Sequence, residues 1–349
     1  MNGKKYRLTV ISLLLLMRLH AQEQEQLISV AFWNLENLFD IQNDTLTLDD
    51  QRTPSGNYHW SKTRYERKLK HLAEVIQHMD GIQKTVPDIL GFCEVENATV
   101  IQELNQTLKN SPYELIHKDS PDRRGIDVGL FYNADKLYIQ NYVYRTLKIY
   151  DQDHRRRYTR DQLLVEVLID SYKIYIIVNH WPSRSGGESK SKPNRIKAAQ
   201  LNLKLIDSIR KQEPEAMIIA MGDFNDNPDS ASFKQILKTS ATPYFSTQTK
   251  LYNPMEVLYN KGVGSLAYRG AWNLFDQFYI SSNLTDLSPL RFYKALVFKP
   301  EQMITTSGLY KGYPKRTYSG TSYLGGYSDH YPIVMYLYKT KKRVPKDSL

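Results

Sequence analysis

The sequence predicts one large α/β domain, and three observations carry that prediction. Short apolar runs recur at 28–33, 89–93, 128–132, 163–169, 174–179, 217–221, 275–280 and 332–338. Several are continuous rather than alternating, the pattern of strands buried on both faces. Between them lie segments with helical periodicity. No internal repeat, low-complexity block or Pro/Gly-rich linker divides the chain. A length of 349 residues would accommodate two domains, but no boundary is written in it. A hydrophobic content of 41% with 24% charged residues excludes a disordered chain.

Residues 1–21 read as an export signal. A basic start containing Lys4, Lys5 and Arg7 precedes an apolar run over 8–17, too short to span a membrane. Ala21 then offers a small residue before a cut at Gln22. No cysteine lies near that point and no later run reaches membrane-spanning length, so a secreted or periplasmic protein without a stable membrane anchor is expected. A helix over 64–79 follows from Leu69, Leu72, Ile76 and Met79 on one face. A shorter helix is expected over 98–108, and a long one over 194–211 with Ile196, Ala199, Leu203 and Ile206 aligned. The segments 41–60, 145–161, 240–268 and 300–327 read as long loops, where function concentrates. The domain is therefore placed at 22–338, followed by a basic tail over 339–349.

Net charge says less than it first suggests. The chain carries a formal +10, which invites phosphate-bearing partners. Residues 1–21 hold Lys4, Lys5, Arg7 and Arg18 with no acid, and the tail holds five basic residues against Asp347. Removing those two groups of +4 from +10 leaves the body at +2. The single cysteine, Cys93, excludes an intrachain disulfide and a cysteine-based metal site, and reads as a small buried hydrophobe.

The chemistry is written at strand ends. Asn34 and Glu36 follow the first run, Glu94 and Glu96 the second, and Asn179-His180-Trp181-Pro182-Ser183-Arg184 another. Gly222-Asp223-Phe224-Asn225 closes a fourth, Asp276-Gln277 interrupts a fifth, and Ser328-Asp329-His330 precedes the last. Glu94, Asp223, Asp276 and Asp329 are hard oxygen ligands or bases, and Asn34 and Asn225 neutral oxygen donors. With no Cys or multi-His set, zinc is disfavoured and Mg²⁺, Mn²⁺ or Ca²⁺ fits. Carboxylates facing a phosphate need a screening cation or a protonated histidine. His180 and His330 offer acid–base or charge-stabilising groups.

Taken in order, Trp33-Asn34-Leu35-Glu36-Asn37, Glu94-Val95-Glu96, Asn179-His180, Gly222-Asp223-Phe224-Asn225 and Ser328-Asp329-His330 resemble the endonuclease/exonuclease/phosphatase superfamily. That group includes pancreatic-type deoxyribonucleases, abasic-site endonucleases, neutral sphingomyelinases and inositol polyphosphate 5-phosphatases. The resemblance spans roughly residues 27–338 and implies a four-layer α/β/β/α sandwich of two packed, mostly antiparallel sheets. It implies that Glu94 is the main metal-binding glutamate with Asn34 beside it, and that Asp329 holds the metal or polarises a histidine. Asp223 would position or deprotonate the attacking water, Asn225 orient the phosphate, and His330 stand at the phosphate. His180 matches the second histidine of the deoxyribonuclease type, Asp276 an aspartate supporting the histidine or leaving group, and Asp127 a buttress of His180.

Plainer readings stand beside these. Asn34 and Asn225 are also ordinary turn residues. Glu36 and Glu96 lie two residues from stronger candidates and so share a strand face with them in a support role. His59, His71, His78, His117 and His154 lack motif partners and read as surface or packing residues. The basic run Lys62, Arg64, Arg67, Lys68, Lys70 reads equally as a solvated helix face. A second run joins Arg155–Arg157 and Arg160. The third, from Arg184 to Lys197, begins four residues after His180, and Arg184 is the preferred substrate-phosphate contact.

The expectation is a secreted, divalent-metal-dependent phosphodiesterase, an endonuclease cutting DNA or RNA by in-line attack of water, acting as a monomer on nucleic acid. A phosphatase or sphingomyelinase-like enzyme of the same fold is the alternative; the apolar stretch 287–298 keeps a lipid substrate open. A nucleic-acid-binding surface protein is the non-enzymatic alternative, disfavoured because binding alone needs no carboxylates facing phosphate.

Overall fold

The computed structural model describes residues 25–243, 250–285 and 289–340. The signal segment, residues 341–349 of the basic tail, and residues 287 and 288 of the apolar stretch lie outside them. Twelve strands form two six-stranded sheets: β1 (Glu25–Leu38), β2 (Ile89–Val95), β3 (Tyr113–His117), β4 (Asp127–Asn133), β5 (Tyr138–Arg145), β6 (Gln162–Ile169), β7 (Tyr172–His180), β8 (Met217–Asp223), β9 (Leu251–Tyr252), β10 (Asp276–Ser281), β11 (Leu290–Val297) and β12 (Ile333–Thr340). The first sheet runs β11-β12-β1-β2-β4-β3 and the second β9-β10-β8-β7-β6-β5. Each has one parallel pair at its centre, β1 with β2 and β8 with β7. The other pairings are antiparallel.

Strand alternation sorts side chains into layers. Ile28, Val30 and Phe32 of β1 meet Ile174, Ile176 and Val178 of β7 and Ile219 and Met221 of β8 between the sheets. The intervening Ala31, Trp33 and Leu35 pack outward beneath α1 (Lys62–Ile76) and α2 (Ala98–Thr107). On the opposite side Ile177, Ile218 and Ala220 carry α3 (Glu188–Gln212) through its Ala198, Ala199, Ile206 and Ile209. The four-layer α/β/β/α sandwich is therefore the fold, and double-sided burial explains the continuous apolar runs.

Helix ends follow their caps. The Ser61 hydroxyl accepts from the Arg64 N–H, and Asn97 Oδ1 from the Val100 N–H at 3.0 Å. The long helix starts at Glu188, six residues ahead of the expected 194, and contains Pro193. A proline this near the N-terminus removes a single backbone bond, so the helix runs through it.

The eight inner strands are those read from sequence. The four not foreseen, β3, β5, β9 and β11, are the four sheet edges. The edge strand β5 is mostly exposed, with Tyr138 67% and Tyr142 52% accessible, so it lacks a continuous apolar signature. Among the described residues no helix is long and apolar enough to cross a membrane.

Candidate active site

Topology collects the site at one rim. The parallel strands β1, β2, β7 and β8 end there, with Asn34 near the end of β1, Glu94 near that of β2, and His180 and Asp223 closing β7 and β8. The antiparallel β10 and β12 begin there, so Asp276 and the Asp329-His330 pair arrive at the same edge. Register completes the alignment: Asp223 lies opposite both His180 and Asp276. His180 continues the inward series Ile174, Ile176, Val178, and Asp223 the series Ile219, Met221. Both therefore turn into the gap between the sheets, where the apolar core stops.

Glu94 breaks that alternation. The register of β2 against β4 shifts between Cys93 and Val95, and Glu94 has φ 60°. Such a bulge re-aims a side chain, and Glu94 Oε1 consequently faces His180 Nε2 at 3.8 Å while Oε2 accepts the Asn37 N–H at 3.0 Å. Glu36, Asn37 and Asn225 are also left-handed, at φ 50°, 53° and 52°. Left-handed backbone in non-glycine residues concentrates where surrounding structure enforces it, often at functional sites. The glycine before Asp223 has a steric reason: a Cβ on Gly222 would lie 2.4 Å from the Asn179 carbonyl oxygen.

Asp223 is held from two sides. Its Oδ2 accepts Asn34 Nδ2–H at 3.1 Å and its Oδ1 the Asn225 N–H at 2.9 Å. Burial, with Asp276 and Glu94 nearby, pushes its carboxyl up to about 7 against the pull of His330. His330 Nδ1 donates to Asp276 Oδ2 at 2.6 Å, and Ser265 supports the same oxygen at 2.5 Å. Although burial opposes the charge, Asp276, Asp223 and Asp329 hold the His330 pKa well above the ordinary histidine value. His180 goes the other way. Burial, then the cations Arg160 and Arg124, keep it neutral. One imidazolium and one neutral imidazole thus share a site with four carboxylates.

The donor set fits a hard divalent cation. Asn34, Glu94 and Asp329 present amide and carboxylate oxygens, and Asp276 Oδ1 is a buried carboxylate oxygen without a hydrogen-bond donor. Cys93 lies within ligand distance of His180 and Asp223, but burial raises its thiol well above the usual range. It offers no thiolate at neutral pH. His330, protonated and bonded to Asp276, is a donor rather than a ligand. Asp329 is held below its ordinary value, since His330 and Arg316 outweigh its burial, and Arg316 Nη2 lies 2.7 Å from Asp329 Oδ2.

The structure places two sequence-chosen residues differently. Asp127 does not buttress His180. Its Oδ1 accepts the Ser120 N–H at 2.8 Å and its Oδ2 faces His117 Nε2 at 3.6 Å. The carboxylates facing His180 Nε2 are instead Glu94 and Asp223, each at 3.8 Å. Arg184 is not a free phosphate contact. Its Nε donates to the Asn225 carbonyl at 3.0 Å, Nη1 to Glu188 at 2.7 Å, and its plane lies over Phe275. It fastens the Asn225 turn to the start of α3. Asn225 itself donates Nδ2–H to the Trp181 carbonyl at 3.0 Å, joining the Asp223 and His180 loops.

Lys68 was hidden in a basic helix run. Its side chain is 1% exposed, and its ammonium reaches Thr317 Oγ1 at 2.7 Å, the Tyr327 carbonyl at 2.5 Å and Glu36 Oε2 at 3.7 Å. Glu36 in turn accepts the Thr317 N–H at 2.6 Å. Together they anchor the 317–327 loop that leads into Asp329 and His330. The helical spacing carries the signal: Lys68 lies three residues after Tyr65 and four before Leu72 on the apolar face.

Fold and rim together define a four-layer α/β sandwich with a carboxylate–imidazole centre suited to a hard cation. The sequence profile of the Endonuclease/Exonuclease/phosphatase family matches residues 29–339, and the chain belongs to that family. No curated protein sequence matches the chain. Its fold is shared by several solved structures. A humanized TDP2 from D. rerio is 15% identical with a TM-score of 0.54, covering 89% of this chain and 98% of that one. A mannosyl-6-phosphatase of Bacteroides thetaiotaomicron is 14% identical with a TM-score of 0.54, covering 89% and 99%. The human Nocturnin catalytic domain with bound sulfate anion is 19% identical with a TM-score of 0.54, covering 90% and 96%.

Proposed function

We propose that the protein is a divalent-metal-dependent phosphodiesterase, exported from the cytoplasm, that hydrolyses nucleic acid as an endonuclease. The observation that carries the hydrolytic reading is the Asp276–His330 pair beside Asp223, which accepts from Asn34 and faces His180 together with Glu94. The membership in a family named for endonucleases, exonucleases and phosphatases supports it. Human Nocturnin, solved with a bound sulfate anion, and the mannosyl-6-phosphatase of B. thetaiotaomicron share the fold, which favours an oxyanion substrate. The basic, apolar-cored segment 1–21 supports export.

Glu94, Asn34 and Asp329 would hold the cation, which neutralises charge on the scissile phosphate when bound. Asp223, fixed by Asn34 and Asn225, aligns a water and takes its proton, a task matched to a carboxyl near 7. His330 keeps its Nδ1 proton on Asp276 and turns its Nε2–H toward the phosphate oxygens. His180, neutral, supplies a second imidazole near Glu94 and Asp223. The preorganised donors meet charge that grows in the transition state, where such groups count most. A nucleic-acid strand is favoured over a phosphomonoester by the basic cavity described below.

The test is direct. The purified protein is incubated with plasmid, single-stranded DNA, RNA, sphingomyelin and a sugar phosphate, in Mg²⁺ or in chelator. Cleavage of nucleic acid in Mg²⁺ only is expected. His330→Ala and Asp223→Asn should each lower kcat by about 10²- to 10³-fold or more in protein that remains folded by circular dichroism. Chelator-insensitive turnover, or hydrolysis confined to phosphomonoesters, refutes the reading.

A further inference from the structure

Residues 122–124, 157–160 and 182–186, together with the start of α3 at 190–194, line an open cavity of about 470 Å³. Its charged lining consists of Arg123, Arg124, Arg157, Arg160 and Lys190 against Asp122 alone. Two of the cations are engaged. Arg160 Nη1 lies 3.1 Å from Asp122 and its Nη2 donates to the Trp181 carbonyl at 2.7 Å, while Arg124 Nε stands 3.5 Å from Asp122. Arg157 and Lys190 are exposed and form no ion pair among the described residues, and Arg123 only stacks on Tyr158. Like charges gathered in a concavity repel one another and focus a positive potential into it, which favours an anion.

The cavity adjoins the catalytic rim. Pro182 and Ser183, which line it, follow His180 by two and three residues. The charges of Arg160 and Arg124 reach His180 and help keep it neutral. The aromatic residue at the cavity is not a stacking platform for a base. Arg123 and Arg156 lie over the Tyr158 ring at 5.6 and 4.7 Å, so the ring orders cations instead.

We propose that this cavity is a subsite for a second phosphate of the substrate strand, held by charge without readout of the bases. The inference rests on the phosphodiesterase reading above and adds that the substrate must extend at least one diester beyond the scissile bond. Phosphate contacts of this kind position a strand and carry no sequence information.

The experiment compares bis(p-nitrophenyl) phosphate with oligothymidylates of increasing length, in Mg²⁺, for the wild type, Arg157→Gln/Lys190→Gln and the charge-keeping Arg157→Lys/Lys190→Arg. For wild type, kcat/KM should rise about tenfold once a second diester is present, equivalent to about 1.4 kcal/mol. The slope of log kcat/KM against log salt should steepen with length. In the neutral double variant the rise should collapse and the slope flatten by about 0.7 per lost contact. The charge-keeping variant should retain both. Hydrolysis of the reporter with no length dependence, or the same dependence in the neutral variant, overturns the subsite and leaves the hydrolase reading intact. Failure of the wild type to hydrolyse any diester removes both.

Discussion

Lys68→Met tests whether a buried cation underlies the loop that delivers Asp329 and His330. The substitution keeps most of the side-chain volume and removes three partners at once: Thr317 Oγ1, the Tyr327 carbonyl and the Glu36 carboxylate. Leaving a buried polar group without its partner costs about 1–3 kcal/mol. Breaking a buried ion pair from one side costs about 3–5 kcal/mol. Some of this is offset, because Glu36 is already raised to about 7 by burial and by Asp329, with Lys68 pulling the other way. Without Lys68 it binds a proton at neutral pH instead of standing as an unpaired charge. A net loss of about 3 kcal/mol follows, or about 4–5 °C in Tm at this size. The assay is thermal unfolding at pH 7 of Lys68→Met, Glu36→Gln and the double variant. Because the two residues share one network, the losses should be non-additive by about 1 kcal/mol or more. A fall below about 2 °C in the single variant, or strict additivity, would refute the anchoring argument.

Other outcomes follow from the same geometry. Gly222→Ala drives a methyl into the Asn179 backbone, so a melting transition lowered by several degrees is expected; an unchanged one contradicts the close strand approach. In chelated protein, ¹⁵N shifts should show His330 as imidazolium at pH 7.5 and His180 neutral at pH 6. The raised His330 pKa stabilises the fold at pH below about 6.5 in full and loses that contribution as pH climbs through the folded value. Asp276→Asn should bring its titration down, and a wild-type His330 already neutral at 7.5 would contradict the pairing. Arg195, buried at 0% exposure, bonds Asp226 at 2.6 Å, so Arg195→Met should cost about 3–5 kcal/mol in denaturant unfolding. A cost under about 1 kcal/mol would show that Asp226 finds another partner.

The basic runs show where reading by sequence stops. Lys68 and Arg195 sit in stretches with the composition of a solvated helix face, yet both are buried and paired. Lys68 faces a loop almost 250 residues away, joined to it through Thr317. Arg184 follows His180 closely in the chain, but its Nε and Nη1 are already engaged by Asn225 and Glu188. Asp127 is taken up by the Ser120 N–H and by His117 instead of His180.

The sequence by itself determined the inner scaffold and the chemical inventory. A strand buried on both faces must be apolar at consecutive positions, so the eight inner strands announced themselves. Their abrupt polar ends marked Asn34, Glu94, His180, Asp223, Asp276 and Asp329-His330, since a parallel pair ending where antiparallel neighbours begin puts those ends on one rim. Only tertiary structure decided the four edge strands, of which β5 is mostly exposed and β9 is two residues long. It also decided the bulge that turns Glu94 inward, and the gathering of three chain segments around one basic cavity. Those depend on register and on contacts between segments far apart in the chain. Composition and local periodicity do not encode which distant partner neutralises a given charge.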